Sequence, residues 1–130
     1  MFKKLREIKP RILIVDDNQN IGEVLSDYLT EKGYEVSYAG NGDDALHYVK
    51  RTRPHIVLWD VRMPDISGIE VLKQIIEIDP KVGVVMITAH QEDELGREAL
   101  MAGAIDFITK PIDFEYLDTS LMLKLSAMLE

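Results

Sequence analysis

Residues 55–60, HIVLWD, restrict the fold more than any other segment of this 130-residue sequence. Four consecutive apolar residues indicate a strand buried on both faces, which is typical of a parallel sheet covered by helices on either side. The strand ends on a carboxylate, and burying a charge is costly unless a partner offsets it. We therefore expect Asp60 to lie at the carboxyl end of a central strand, where open α/β sheets bind ligands, and Trp59 to point the other way into the core.

Apolar runs alternate with helical patterns along the whole chain. Strands are predicted at residues 12–15, 34–39, 55–60, 82–88 and 105–109. Between them, and after the last one, apolar residues recur at the three- and four-residue spacing of amphipathic helices. Strands that alternate with helices require a parallel sheet with right-handed crossovers. The sequence therefore predicts five βα units in a doubly wound, three-layer α/β sandwich.

The helical patterns also predict inward faces and helix ends. The inward face of the first helix is predicted to hold Ile21, Val24, Leu25, Tyr28 and Leu29. That of the last helix, which starts at about residue 113, is predicted to hold Leu117, Leu121, Leu125 and Met128. Gly33 should end the first helix, and Asn41 and Ser67 are the predicted N-caps of the second and third. The last helix is apolar on its outer side as well, which indicates an interaction surface. The alternative is that the helix is simply apolar and that its end frays.

Composition and charge exclude several classes of protein. No apolar run reaches the ~18 residues of a membrane span, and no apolar core of a signal peptide is present. The sequence has no cysteine, which excludes thiolate chemistry and agrees with a cytoplasmic location. Residues 12–130 hold ten basic and 22 acidic side chains, a formal charge of −12, so direct nucleic-acid binding is not expected.

One domain is predicted over residues 11–130. The basic residues 1–10 form either a solvated tail or, less simply, a docking segment.

Polar residues follow three further predicted strands. Asp16 and Asp17 follow the first strand, Thr88 ends the fourth, and Lys110 follows the fifth. Because the carboxyl ends of parallel strands meet at one edge of a sheet, we expect these side chains to converge on Asp60. Three carboxylates in one place repel unless a cation joins them, and oxygen ligands suit Mg²⁺ or Mn²⁺ better than zinc.

This set of groups suits phosphoryl transfer. Carboxylates form aspartyl-phosphate intermediates, so Asp60 is the candidate nucleophile. The reaction depends mainly on neutralising the charge of the transferred group. A metal, the Lys110 ammonium, the Thr88 hydroxyl and nearby backbone N–H groups would supply that neutralisation.

Four motifs resemble the receiver domain of two-component response regulators, over about residues 11–126. They are VDDN at 15–18, LWDVRMPDISG at 58–68, ITAH at 87–90 and GAIDFITKP at 103–111. The resemblance implies a flavodoxin-like (βα)5 fold with strand order 2-1-3-4-5. It also implies a signalling switch that catalyses only its own phosphorylation and dephosphorylation, with a histidine kinase or histidine phosphotransfer protein that docks near the first helix as its partner.

The resemblance further implies a role for each matching residue. Asp60 would accept the phosphoryl group, and Phe107 would be the aromatic residue of the switch. Many receivers have tyrosine there, so only the packing part of that role carries over, and core filler is the alternative for Phe107. A cis peptide bond is implied between Lys110 and Pro111. The remaining roles are metal binding by Asp16, Asp17, Asp60 and the backbone carbonyl of Arg62, phosphoryl binding by Thr88 and Lys110, and flanking of the site by Ala89 and His90.

The implied output surface comprises the helix at 91–101, the strand at 105–109 and the last helix, and it would bind a second copy or an output domain. Three other functions match the sequence less well. An aspartate-nucleophile phosphohydrolase would place an acid two residues after Asp60, where this chain has Arg62. A flavin-binding protein would have a Ser/Thr/Gly-rich phosphate loop in place of DDNQN. A pseudo-receiver that only binds partners would more often have lost an acid or Lys110.

Overall fold

The computed structural model describes residues 9–60, 68–88 and 94–129, and within them five strands alternate with five helices, as predicted. The strands are β1 (Arg11–Val15), β2 (Glu35–Ala39), β3 (Ile56–Asp60), β4 (Gly83–Thr88) and β5 (Asp106–Thr109). The helices are α1 (Gln19–Glu31), α2 (Gly42–Thr52), α3 (Gly68–Ile78), α4 (Glu94–Met101) and α5 (Phe114–Leu129).

The five strands form one parallel sheet in the order β2-β1-β3-β4-β5, which confirms the flavodoxin-like topology. The central strand β3 pairs with β1 on one side and with β4 on the other, with Trp59 opposite Val15 and Asp60 opposite Ile87. The chain runs outward from β1 to β2 and then crosses to β3. The strand order therefore reverses between β1 and β3, and ligands of open parallel sheets bind at the carboxyl end of this switch point.

The sheet separates two hydrophobic clusters, because successive side chains of a strand point to opposite faces. On one face α1 and α5 cover Ile14 and Leu58 with leucines that are fully or almost fully buried, namely Leu25, Leu29, Leu117, Leu121 and Leu125. On the other face α2, α3 and α4 cover Val15, Val57 and Trp59. Trp59 is 0% exposed, which confirms its place in the core. Asp60, the next residue, is therefore turned toward the side of the sheet that carries α1 and α5.

Two side chains predicted to face inward are exposed. Val24 is 54% exposed because α1 packs through Gly22, Leu25 and Leu29, a face rotated away from the predicted one. Met128 is 38% exposed because the last turn of α5 reaches the amino-terminal edge of the sheet, where Met128 lies beside Arg11. In both helices the rest of the predicted inward face is buried or half-buried.

The helix ends agree with the predicted signals where the structure describes them. The Asn41 side chain accepts a hydrogen bond from the backbone N–H of Asp44 at 2.8 Å, which confirms the cap of α2. Gly33 follows α1 with a φ of 102°, a left-handed conformation that favours glycine. The predicted cap Ser67 and the first eight residues of the basic tail lie outside the described residues. None of the described helices is long and apolar enough to cross a membrane.

Candidate functional site

Three strand ends bring four of the predicted site residues together. Asp16 and Asp17 follow β1, Asp60 ends β3, and Lys110 follows β5. One carboxylate oxygen from each of the three acids lies within 4.8 Å of those of the other two. Asp16 is 2% exposed and Asp60 is 4% exposed, whereas Asp17 is exposed to solvent. The site is thus an acidic pocket with a buried floor and an open side.

Lys110 supplies a positive charge to this pocket. Its Nζ atom lies 2.7 Å from Oδ2 of Asp60, as both a hydrogen bond and an ion pair. The predicted cis peptide bond between Lys110 and Pro111 is confirmed. The pair offsets part of the cost of burying the Asp60 carboxylate, which burial alone would make large.

Two hydrogen bonds hold Asp16, one through its backbone N–H and one through its carboxylate. Its N–H donates to the carbonyl of Ala39 at 3.1 Å, and its Oδ1 accepts a hydrogen bond from the backbone N–H of Asn18 at 2.8 Å. Burial raises the pKa of the Asp16 carboxyl, and the charges of Asp60 and Asp17 raise it further, against the lowering effects of Asn18 and Lys110. A divalent cation would remove this repulsion, so the donor set fits a hard metal ion with oxygen ligands.

The other predicted site residues lie at or beyond the limits of the described residues. Thr88 ends β4 opposite Thr109 in β5, which places its backbone at the same edge of the sheet. Its side chain, and all of Arg62, Ala89 and His90, lie outside the described residues. Phe107 is half-buried against the cluster under α2, α3 and α4. Both interpretations of Phe107, switch residue and core filler, therefore remain predictions.

Sequence reasoning missed Tyr38, the fourth residue of β2. The Tyr38 hydroxyl donates a hydrogen bond to the backbone carbonyl of Asp16 at 2.5 Å. The pKa of Tyr38 is raised by burial and by the nearby charges of Asp16, Asp17 and Glu23. The available signal was Gly22, because a glycine inside a helical pattern often marks a close approach of another group. Here a Cβ at residue 22 would lie 2.2 Å from Cε1 of Tyr38.

An apolar groove, which we call the α1 groove, leads to the acidic pocket. It lies between α1 and the connection from β5 to α5, and Lys110 lines it while its ammonium reaches Asp60. The exposed Val24 forms part of its wall. The rings of Tyr28 and Phe114, 4.9 Å apart, join α1 to the first turn of α5. The other side chains of the α1 groove are Asn20, Ile21, Leu25, Pro111, Ile112 and Phe114.

Comparison with known proteins gives one consistent family. The sequence model of the response regulator receiver domain matches residues 12–122. The chain is 41% identical over 102 residues to the chemotaxis protein CheY of Thermotoga maritima, covering 78% of this chain and 85% of that protein. It is also 41% identical over 108 residues to the regulatory protein AtoC of Escherichia coli strain K12, covering 83% of this chain. The match spans only 23% of the length of AtoC.

A solved structure shows the same fold. The crystal structure of a CheY-like response regulator receiver domain protein from Methanospirillum hungatei JF-1 superposes with a TM-score of 0.88 at 30% identity. The superposition covers 93% of this chain and 97% of that one. The sequence and structure comparisons therefore agree on the family and on the fold.

Proposed function

Because the chain belongs to the response regulator receiver domain family, we propose that it is a signalling switch that is turned on by phosphorylation of Asp60. Receiver domains are switches rather than conventional turnover enzymes. The observation that carries the proposal is the position of the Asp60 carboxylate, which is buried between an ammonium at 2.7 Å and two further acids. The proposed nucleophile, the Asp60 carboxylate, thus has one positive charge beside it, and the two neighbouring acids could hold a second.

The chemical step is an exchange of one bond to phosphorus for another. A carboxylate oxygen of Asp60 forms a bond to phosphorus while the P–N bond of a donor phosphohistidine breaks. The leaving imidazole nitrogen takes up a proton, and an aspartyl phosphate remains on this chain. Lys110 stays close enough to pair with the transferred group, and the Thr88 hydroxyl is proposed as a further donor to it.

The acids Asp16, Asp17 and Asp60, with the backbone carbonyl of Arg62, are the proposed ligands of Mg²⁺, or of Mn²⁺ in its place. When bound, the ion supplies charge neutralisation to the phosphoryl group. The closeness of the three carboxylates supports this assignment, since one oxygen of each lies within 4.8 Å of the others. Burial raises the pKa of Asp16 most, and the charges of Asp60 and Asp17 raise it further, so a bound cation would offset both effects. Asp17, the exposed member of the three, forms the open side through which an ion enters.

The α1 groove is the proposed docking site of the phosphodonor, a histidine kinase or a histidine phosphotransfer protein. Its exposed apolar wall at Val24 is suited to packing against an apolar helix, and its far end is Lys110 at the acidic pocket. A donor seated in it would have its phosphohistidine beside Asp60. We propose that this phosphoryl transfer takes place in the cytoplasm. A sequence without cysteine forms no disulfides and so agrees with that reducing compartment.

The output surface is proposed on α4, β5 and α5. Among the described residues, the exposed large apolar side chains on α4, on α5 and just before β5 are Leu100, Met101, Ile105, Tyr116, Leu123 and Met128, and Met101 is 84% exposed. Phosphorylation would draw Thr88 toward the phosphoryl group, and Phe107 would repack into the space left behind. A bias of a few kcal/mol between two existing states suffices for such a switch. A second copy or an output domain would then bind the changed surface.

The experiment that tests the function is intact-mass measurement after incubation with acetyl phosphate and Mg²⁺. The wild type should gain about 80 Da, the mass of one phosphoryl group. Asp60→Asn should gain none, while Asp113→Asn, which changes an exposed acid in the connection before α5, should gain the same mass as the wild type. Modification of Asp60→Asn would show that the nucleophile is a different residue.

A further inference from the structure

Tyr38 links three parts of the fold around the acidic pocket. It lies in β2, its ring packs against α1 at Gly22, and its hydroxyl donates to the carbonyl of Asp16 at 2.5 Å. The neighbouring residue Ala39 accepts a hydrogen bond from the N–H of Asp16 at 3.1 Å. Strand β2 therefore holds both backbone polar groups of Asp16, the first of the two acids.

We propose that Tyr38 is a positioning residue for the metal site, which sets the direction of the Asp16 and Asp17 carboxylates by holding the peptide group between them. The proposal rests on the assignment of Asp16 and Asp17 as metal ligands. The carbonyl that Tyr38 binds belongs to the peptide bond joining these two acids. Fixing the plane of that peptide fixes where both side chains leave the backbone.

The two acids need this support to different degrees. The Asp16 carboxylate is buried and is also held by the backbone N–H of Asn18. Asp17 is exposed, so its direction depends mainly on the orientation of its own backbone. Groups that hold metal ligands in place do not touch the metal, yet their loss commonly lowers metal affinity strongly. Tyr38 takes this role through the backbone rather than through a carboxylate.

Gly22 is the feature that makes the arrangement possible. A Cβ at this position would lie 2.2 Å from Cε1 and 2.7 Å from Cδ1 of the Tyr38 ring. Such distances are far shorter than a van der Waals contact, so any larger residue would push the ring away. The ring and its hydroxyl would then leave the Asp16 carbonyl. The pair of a glycine in α1 and a tyrosine in β2 thus acts as one unit.

The test is the dissociation constant for Mg²⁺, measured by isothermal titration calorimetry on the whole chain. Tyr38→Phe removes the hydroxyl but keeps the ring against Gly22, and it should weaken Mg²⁺ binding about tenfold. The matched control is Tyr34→Phe, which removes a hydroxyl that donates to Asp118 at 2.8 Å. Tyr34 lies just before β2, at the end of the strand away from the acids, and its hydroxyl joins this end to α5. This variant should therefore lose stability but keep the wild-type Mg²⁺ affinity.

The outcomes separate this proposal from the proposed function. If the wild type does not bind Mg²⁺, or if Asp17→Asn binds it equally well, the metal site itself is wrong. If the wild type binds Mg²⁺ through Asp17 and Tyr38→Phe binds it equally well, the metal site stands and the role of Tyr38 is overturned. Equal weakening in Tyr34→Phe and Tyr38→Phe would also overturn it, because a general loss of stability would then explain both.

Gly22→Ala provides a second, independent variant. This change keeps the Tyr38 hydroxyl but displaces the ring that carries it, so it should weaken Mg²⁺ binding by a similar factor. Adding Gly22→Ala to Tyr38→Phe should then cause little further loss, because both changes remove the same contact. Full additivity of the two effects would contradict a shared mechanism.

Discussion

The ammonium nitrogen of Lys110 lies 2.7 Å from Oδ2 of Asp60 and joins two residues that are 50 positions apart in the sequence. The Asp60 side chain is 5% exposed and that of Lys110 is 28% exposed, so the contact is shielded from solvent on the acid's side. Lys110 and a divalent cation would compete for the same carboxylate. The ion pair therefore has opposite effects on stability and on metal binding.

Lys110→Met should make the protein less stable without Mg²⁺ and should increase its affinity for Mg²⁺. The buried carboxylate loses its counter-charge, which should lower the free energy of unfolding by about 1–3 kcal/mol. The ammonium no longer repels an incoming cation, so the dissociation constant should fall. Urea unfolding and calorimetric titration measure the two quantities. The control is Lys124→Met, which removes the ion pair with Asp106 at 3.0 Å; its Mg²⁺ affinity should equal that of the wild type.

Asp17→Asn should raise the melting temperature in Mg²⁺-free buffer and lower it in saturating Mg²⁺. The charge of Asp17 helps to raise the pKa of Asp16, so removing it relieves repulsion in the empty pocket. A rise of roughly 2 °C is expected without the ion. With the ion, the wild type gains stability by binding and the variant gains less. Asp27→Asn, an exposed change on α1, should follow the wild type in both buffers. A variant that melts lower under both conditions would contradict the repulsion argument.

Gly22→Ala should destabilise the wild type but stabilise a Tyr38→Ala background. Alanine normally improves a helix by about 1 kcal/mol relative to glycine. In the wild type the new methyl group would overlap the Tyr38 ring, and overpacking of this kind costs about 1–3 kcal/mol. Without the ring, only the helical gain remains. Chemical unfolding of the four proteins in this cycle measures the coupling, and a loss of stability in both backgrounds would show that something other than Tyr38 opposes the methyl group.

His55 should make the stability depend on pH. Its Nδ1 accepts a hydrogen bond from the backbone N–H of Arg11 at 2.9 Å, which requires that nitrogen to be unprotonated. Burial and the charge of Arg11 lower the pKa of His55 below its usual 6.5, against an opposite effect of Asp79. The unfolded chain therefore binds the proton more readily, and stability is lost as the pH falls below about 6.5 toward the lower pKa of the folded state.

The matched variant for this effect is His55→Asn, whose amide oxygen can accept from the same N–H but does not titrate. Its free energy of unfolding should change less than that of the wild type between about pH 5 and 7, the range in which histidine titrates. Denaturant unfolding at several pH values measures the two slopes. Identical slopes would assign the pH dependence to other groups.

Val24→Glu should separate docking of a protein donor from the chemistry on Asp60. A carboxylate in the apolar wall of the α1 groove should slow phosphoryl transfer from a histidine kinase or phosphotransfer protein about tenfold or more, because the new charge must be desolvated on docking. Modification by acetyl phosphate should be unchanged, since a small donor does not need the groove. Leu123→Glu, at an exposed residue of α5, should leave both reactions intact. Equal rates from a protein donor for Val24→Glu and the wild type would place docking elsewhere.

The strands and the acidic pocket were predictable because they depend on local pattern and on one rule of topology. Runs such as residues 55–60 signal burial on both faces, and the parallel arrangement then brings Asp16, Asp60 and Lys110 to one edge. The rotation of α1 about its axis was not predictable in the same way. The Tyr38 ring of β2 packs against α1 at Gly22, and Val24 is exposed against the helical pattern. A tertiary contact of this kind is not encoded in the spacing of apolar residues along the helix.

The parallel sheet also leaves a second edge, at the amino ends of its strands. The turn between α3 and β4 lies there, and its Pro80 and Lys81 are exposed. A dye, an affinity handle or a whole inserted protein joined at this turn would stand across the full length of β4 from the acidic pocket. The fold thereby offers an attachment site at the opposite end of the sheet from the acidic pocket.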